Sequence, residues 1–190
     1  ANDVATMASI PNMRVYIPSD RFQTEKLMQA LLQDKEPSYV RVGRNAVEDV
    51  YEEGHVPFTM DRASLVTEGT DVTLIACGEM VHPAKEAAAL LAKKGISARV
   101  LDMYCLKPID AAAILKAAKE TKGIVTVEEH TCYGGLGAMV SQITAGQAPV
   151  RVAGLSLPDE PVITGKSKEI FDHYGLNAEG IARAAIKILA

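Results

Sequence analysis

No stretch of this 190-residue chain approaches the roughly 20 consecutive apolar residues that a membrane span requires. Nor do its basic residues cluster. The 20 Lys and Arg are scattered among 24 Asp and Glu, the net charge is −4 and the pI is near 5.6, which excludes a surface built for nucleic acid or an anionic membrane. Cysteine is scarce. Cys77, Cys105 and Cys132 are odd in number and far apart, with no metal-ligand spacing, so the chain reads as a protein of a reducing, cytoplasmic compartment. Internal repeats and low-complexity segments are missing too. The opening "ANDVATMASI" has neither an initiator Met nor the pattern of a signal peptide, and it reads like the middle of something longer.

What remains is an ordinary globular composition, 48% hydrophobic and 23% charged. A chain of this length suits one large α/β domain, or one domain with part of another, and buries roughly 70% of its extended surface. "MRVYIP" (13–18) alternates between prolines and predicts a strand. Asp20 then stands as a helix N-cap with Gln23 completing a capping box, and Phe22, Leu27, Met28, Leu31 and Leu32 supply an apolar face. "PSYVRVGR" (37–44) predicts a second strand with Val40, Val42 and Arg44 on one side. One strand–helix–strand unit is too little sheet to stand alone.

From 46 to 61 the periodicity lapses and a linker is expected. Beyond it the rhythm is regular. "DVTLIACG" is a buried strand, and "HPAKEAAALLAKKG" a helix with Pro83 in its first turn and Gly95 as terminator. The segments "ISARVLDM", "IVTVEE" and "VRVAGLSL" predict further strands. Between and after them, "PIDAAAILKAAKETKG", "GGLGAMVSQITAG" and "NAEGIARAAIKILA" predict helices, the last capped by Asn177. Alternation of this kind calls for a three-layer αβα arrangement around a mostly parallel open sheet, preceded by a partial α/β domain.

Three places could carry chemistry. In "IVTVEEHTCYGGLGAMV" (124–140), Glu128, Glu129 and His130 fall at a strand's C-terminal edge beside Gly134, Gly135 and Gly137, where open α/β sheets take ligands. A site or an interface is one reading. The other is a joint, with glycines permitting a tight turn and acids facing water. The glycine spacing is not the dinucleotide fingerprint. "TGKS" (164–167) ends like a phosphate-binding loop, but Glu160 occupies the place of that motif's first glycine, so nucleotide binding is excluded. Arg44, at a strand end after Gly43, presents a rigid fork suited to a phosphate or carboxylate, or else pairs with a nearby acid as surface arginines do. Arg41, on the opposite face, reads as such a paired arginine. The four histidines have no ligand spacing and no nucleophile–base pattern.

Taken together, "ATMASIPNMRVYIPSD…PSYVRVGRNAV", "VTLIACGEMVHPAKEAAALLAKKGISARVLDM" and "IVTVEEHTCYGGLG" resemble the C-terminal portion of the transketolase family, over essentially the whole chain. The likeness is greatest to its split-subunit members and to deoxyxylulose-phosphate synthases. It implies that residues 1–47 are the end of a pyrimidine-binding domain, 48–60 a linker and 61–190 the transketolase-type C-terminal domain. It also implies a truncated piece, or one whose upstream part is not included. In that family thiamine diphosphate with Mg²⁺ passes a two-carbon ketol unit between phosphorylated sugars. The family's "G-D-G" cofactor motif does not occur in this chain, so the resemblance carries no catalytic, cofactor or metal residue onto it and implies a fragment inactive alone. It does carry over Arg44, as the holder of the substrate's phosphate. Glu128, Glu129 and His130 become a joint at a domain or subunit interface. Implied partners are sugar phosphates, an upstream thiamine-diphosphate-binding part and further copies of the chain. A 2-oxoacid dehydrogenase β-type subunit, a deoxyxylulose-phosphate synthase and a non-catalytic interaction or dimerisation module are the rival readings.

Overall fold

The computed structural model describes residues 2–190. In chain order the elements are α1 (Asp3–Ser9), β1 (Arg14–Tyr16), α2 (Arg21–Leu31), β2 (Ser38–Val40), β3 (Ser64–Thr67), β4 (Val72–Ala76), α3 (Val81–Ala92), β5 (Ala98–Asp102) and β6 (Cys105–Lys107). After these come α4 (Ala111–Glu120), β7 (Ile124–Thr131), α5 (Leu136–Gln147), β8 (Val152–Leu157), α6 (Ser167–Tyr174) and α7 (Ala178–Leu189). Two sheets form, one ordered β3-β5-β4-β7-β8 and the other β2-β1-β6. In the larger sheet β5, β4, β7 and β8 run parallel, and only the edge strand β3 is antiparallel to its neighbour.

Every residue of β4 is buried, which is why it reads as an apolar run broken only by Thr73, whose hydroxyl meets that of Thr121 at 3.0 Å. One face of the sheet, through Leu74, Val100 and Val125, packs on Val81, Leu91, Ile181 and Ala185 of α3 and α7. The other face, through Ile75, Leu101 and Ile124, packs on Ile114 of α4, Leu136 and Val140 of α5, and Val4, Val15 and Ile17 from the start of the chain. The layers are helix, sheet, helix, as the alternation implied. Local caps bound these helices, Asn177 and Gly95 where the sequence placed them and Asp110 without having been singled out there. Asp110 accepts from Ala113 N at 3.0 Å, Asn177 accepts from Gly180 N at 2.9 Å, and Gly95 takes a left-handed φ of 76° after α3.

The small sheet gains its third strand from far along the chain, since β6 pairs antiparallel with β1. A shared cluster of Tyr16, Leu27, Tyr104 and Cys105 lies beside that pairing, with the Tyr16 and Tyr104 rings stacked at 6.2 Å. Residues 46–61 contain no helix or named strand, yet Val50 and Tyr51 are buried and both donate their N–H groups to Asp20 Oδ2 at 2.9 Å.

Two local expectations are corrected. The second strand stops at Val40 instead of running to Arg44. Its only partner among the described residues is β1, which ends at Tyr16, because Ile17 N turns to Tyr104 O at 2.7 Å and Pro18 has no N–H to offer. After Arg41 N reaches Tyr16 O at 2.9 Å, nothing is left to pair with. The apolar face of α2 is also narrower than its pattern. Leu27 is buried, whereas Met28 and Leu32 are exposed.

Candidate functional site

The sheet order reverses at β4, with β5 on one side and β7 on the other, so a ligand crevice is expected at the C-terminal ends of β4 and β7. Here that place is filled by the chain itself. Ile17, Pro18 and Arg41 close over Cys77, Glu79 and Glu129, leaving a cavity of about 20 Å³.

Glu128 lies beneath this plug and is 3% exposed, so it does not face water. Helix α5 begins after glycines and has no Ser, Thr, Asp or Asn at its N-cap. Its first N–H groups need an acceptor from elsewhere. Glu128 supplies both: Leu136 N donates to Oε2 at 2.7 Å and Gly137 N to Oε1 at 2.8 Å. Gly135 is required by this approach, since a Cβ there would lie 2.0 Å from Glu128 Oε2. Burial raises the Glu128 pKa, outweighing the two backbone N–H groups that favour the anion. The uncapped start of α5 shows in the sequence a need for an acceptor, without saying which residue meets it.

His130 is buried, and both of its ring nitrogens are engaged by backbone. Nδ1 meets Thr131 O at 2.9 Å and Nε2 accepts from Ala5 N at 3.4 Å, so the neutral ring carries its proton on Nδ1. Glu129 faces Arg41. Its carboxylate pairs with the guanidinium Nη2, its carbonyl accepts from Nη1 at 2.9 Å, and Asp3 lies 3.4 Å from Nε. Arg41 is thus the paired arginine that the sequence indicated, and it fastens the start of the chain to β7. Burial, then the neighbouring Glu129, raises the pKa of Glu79. The Cys77 thiol is pushed well up, first by burial and then by Glu128. A neutral thiol, a fully engaged imidazole and a capping carboxylate make a firm joint. They do not make a nucleophile–base pair.

Arg44 lies outside this cluster. It is exposed, in a bend beyond the strand, and its guanidinium donates no hydrogen bond to, and forms no ion pair with, any described residue. "TGKS" opens the short helix α6, where the Glu169 carboxylate already accepts Lys166 N at 3.1 Å. Nothing in the sequence signals a buried Asp102 at the end of β5, which gathers Ser19, Gln23 and Tyr51 around one carboxylate oxygen. Among the described residues no group of three or more His, Cys, Asp or Glu could hold a metal ion, and no helix is long and apolar enough to cross a membrane.

This arrangement is an α/β domain of the kind that closes transketolases: residues 61–181 match the transketolase C-terminal domain. The chain belongs to the transketolase family. It is 48% identical over 188 residues to one of the subunits of the apulose-4-phosphate transketolase of Phocaeicola vulgatus, across 99% of this chain and 60% of that protein. It is 36% identical to a putative transketolase C-terminal section of Methanocaldococcus jannaschii, across 95% of this chain and 57% of that protein. A solved structure described as a split gene transketolase, inactive beta4 tetramer, superposes with a TM-score of 0.91 at 36% identity, covering 98% of this chain and 61% of the other. The chain spans about 60% of the length of such relatives. It corresponds to their C-terminal section.

Proposed function

We propose that this chain is the C-terminal section of a thiamine-diphosphate-dependent transketolase that moves a two-carbon ketol unit between phosphorylated sugars. The cofactor and Mg²⁺ would be held by the upstream part. The 48% identity to a subunit of an apulose-4-phosphate transketolase supports this reading over a 2-oxoacid dehydrogenase subunit. Within it, Arg44 grips the phosphate tail of the sugar, and that remote binding energy orients the reacting carbon. The observation that carries the assignment is the state of Arg44, an exposed guanidinium with no partner among the described residues. A free guanidinium meets a phosphate with two parallel N–H donors.

Glu128, Glu129 and His130 contribute stiffness in this reading. Beside them Tyr133 is 65% exposed and presents a ring suited to a neighbouring subunit, so the joint would back an interface in a cytoplasmic oligomer.

In the complete enzyme, Arg44→Ala should raise KM for phosphorylated sugars by about ten- to a hundredfold, as expected for a lost charge-assisted pair. The KM for an unphosphorylated substrate should stay within about twofold. An unaltered KM for the phosphorylated sugar ends the assignment of Arg44.

A further inference from the structure

Between Val42 and Glu48 the backbone forms no helix or strand, and among the described residues one hydrogen bond holds the whole stretch. Asn45 Nδ2 donates to Ser167 Oγ at 3.1 Å across 122 positions of sequence. The ends of the stretch are firm. Arg41 is tied to Glu129 on one side, and Val50 and Tyr51 are tied to Asp20 on the other. Its inner side is also constrained, since a Cβ at Gly43 would fall 2.2 Å from Glu79 Oε1. Arg44 sits between these fixed points.

The far side of the bond is the better anchored. Ser167 opens α6, whose Ile170, Phe171 and Tyr174 pack on the main core. Leu176 N returns to Phe171 O at 2.8 Å, and the Tyr174 hydroxyl accepts Ile163 N at 3.2 Å. The helix is therefore a support and the loop is what it supports.

The groove between them shows what the support prevents. Its lining includes the carboxylates of Glu48, Glu79, Glu86, Asp172 and Glu179, against one lysine, Lys168, and His82. A guanidinium released from its position would be drawn toward those acids and lost to a substrate anion. Arg44 has no such pair while Asn45 is held.

We infer that the Asn45–Ser167 hydrogen bond positions Arg44, so that α6 takes part in binding the anionic tail of the substrate without touching it. This rests on the reading of Arg44 given above and extends it to a second pair of residues. Ser167 is a positioning residue. Removing an exposed neutral hydrogen bond corresponds to about a two- to tenfold change in an equilibrium.

The experiment uses the complete enzyme and compares one phosphorylated with one unphosphorylated sugar substrate. Ser167→Ala should raise KM for the phosphorylated sugar by about two- to tenfold, leaving kcat and the unphosphorylated KM in place. Ser167→Thr, which keeps a hydroxyl, should restore the original value. Asn45→Ala should give the same shift from the other side of the bond, and combining it with Ser167→Ala should add nothing further. If Arg44→Ala raises KM but Ser167→Ala does not, the positioning role is overturned while the phosphate assignment stands. If neither variant moves it, both are overturned. A Ser167→Ala effect equal on the two substrates, or confined to kcat, also overturns the inference, because it marks a general structural role.

Discussion

Ser19 Oγ stands 2.8 Å from Asp102 Oδ2 and 3.1 Å from Gln23 Oε1. If Asp102 were ionised, both neighbours would be acceptors and the single hydroxyl proton could serve only one. Tyr51 Oη and Gln23 Nε2 already donate to the same Oδ2, each at 2.8 Å, and Oδ1 has no partner among the described residues. Gln23 Oε1 also accepts Ser19 N at 2.9 Å, which leaves the Ser19 hydroxyl to donate to Asp102 Oδ2. Complete burial, with Asp20 adding to it, raises the Asp102 pKa to about 7.

A carboxyl whose folded pKa is raised binds its proton more tightly folded than unfolded, so its contribution is present below the ordinary value of 3.8 and is lost as pH climbs to about 7. Thermal midpoints should therefore fall between about pH 5 and about pH 7.5. Asp102→Asn should flatten that slope. Glu79 and Glu128, also raised, keep part of it. A variant slope equal to the parent's would show that Asp102 is not the group responsible.

Glu128→Ala strands the first N–H groups of α5 inside the protein and should cost about 1–3 kcal/mol of stability. Glu128→Gln, with one carbonyl oxygen for two donors, should fall between. The chain has no tryptophan, so urea unfolding followed by circular dichroism is the suitable measurement. Gly135→Ala should destabilise as well, by displacing the same carboxylate.

Arg41→Ala leaves Glu129 without its partner beside a second acid, Glu79. Both side chains are partly exposed, 19% for Arg41 and 31% for Glu129, so solvent screens the pair and the coupling should be about 1–2 kcal/mol. A double-mutant cycle with Glu129→Ala measures it. Zero coupling would reduce the bridge to an incidental surface contact. Hydrogen exchange at α1 should accelerate in Arg41→Ala, since Asp3 shares the guanidinium.

The parts of the fold legible in the sequence are those whose cause is local. β4 and the start of β7 show as mostly apolar runs because neighbours cover both faces, and α3 and α7 show through Pro83 and Asn177. β3 and β6 have no such signature. "SLVT" and "CLK" are strands only because β5 and β1 lie beside them, and nothing within three or four residues encodes that. The run from 37 to 44 misleads in the opposite way, with alternation continuing past the last available partner. At the site, Arg41 is legible from its face of the strand. The inward turn of Glu128 is not, because strand alternation says which side an acid points to and not what a distant helix start requires of it. Asp102 is invisible for the same reason. Its partners at 19, 23 and 51 meet only after folding.

Strand β6 has one more effect. Its three residues hold β1, so the chain's opening stretch and its larger sheet are clasped rather than set side by side. A protease reaching the exposed Gly54 should nick the backbone and release nothing. The product should show two bands when denatured and elute as one species under native conditions. The β1–β6 pairing ties residues 14–16 to residues 105–107, across the start of the matched region at 61.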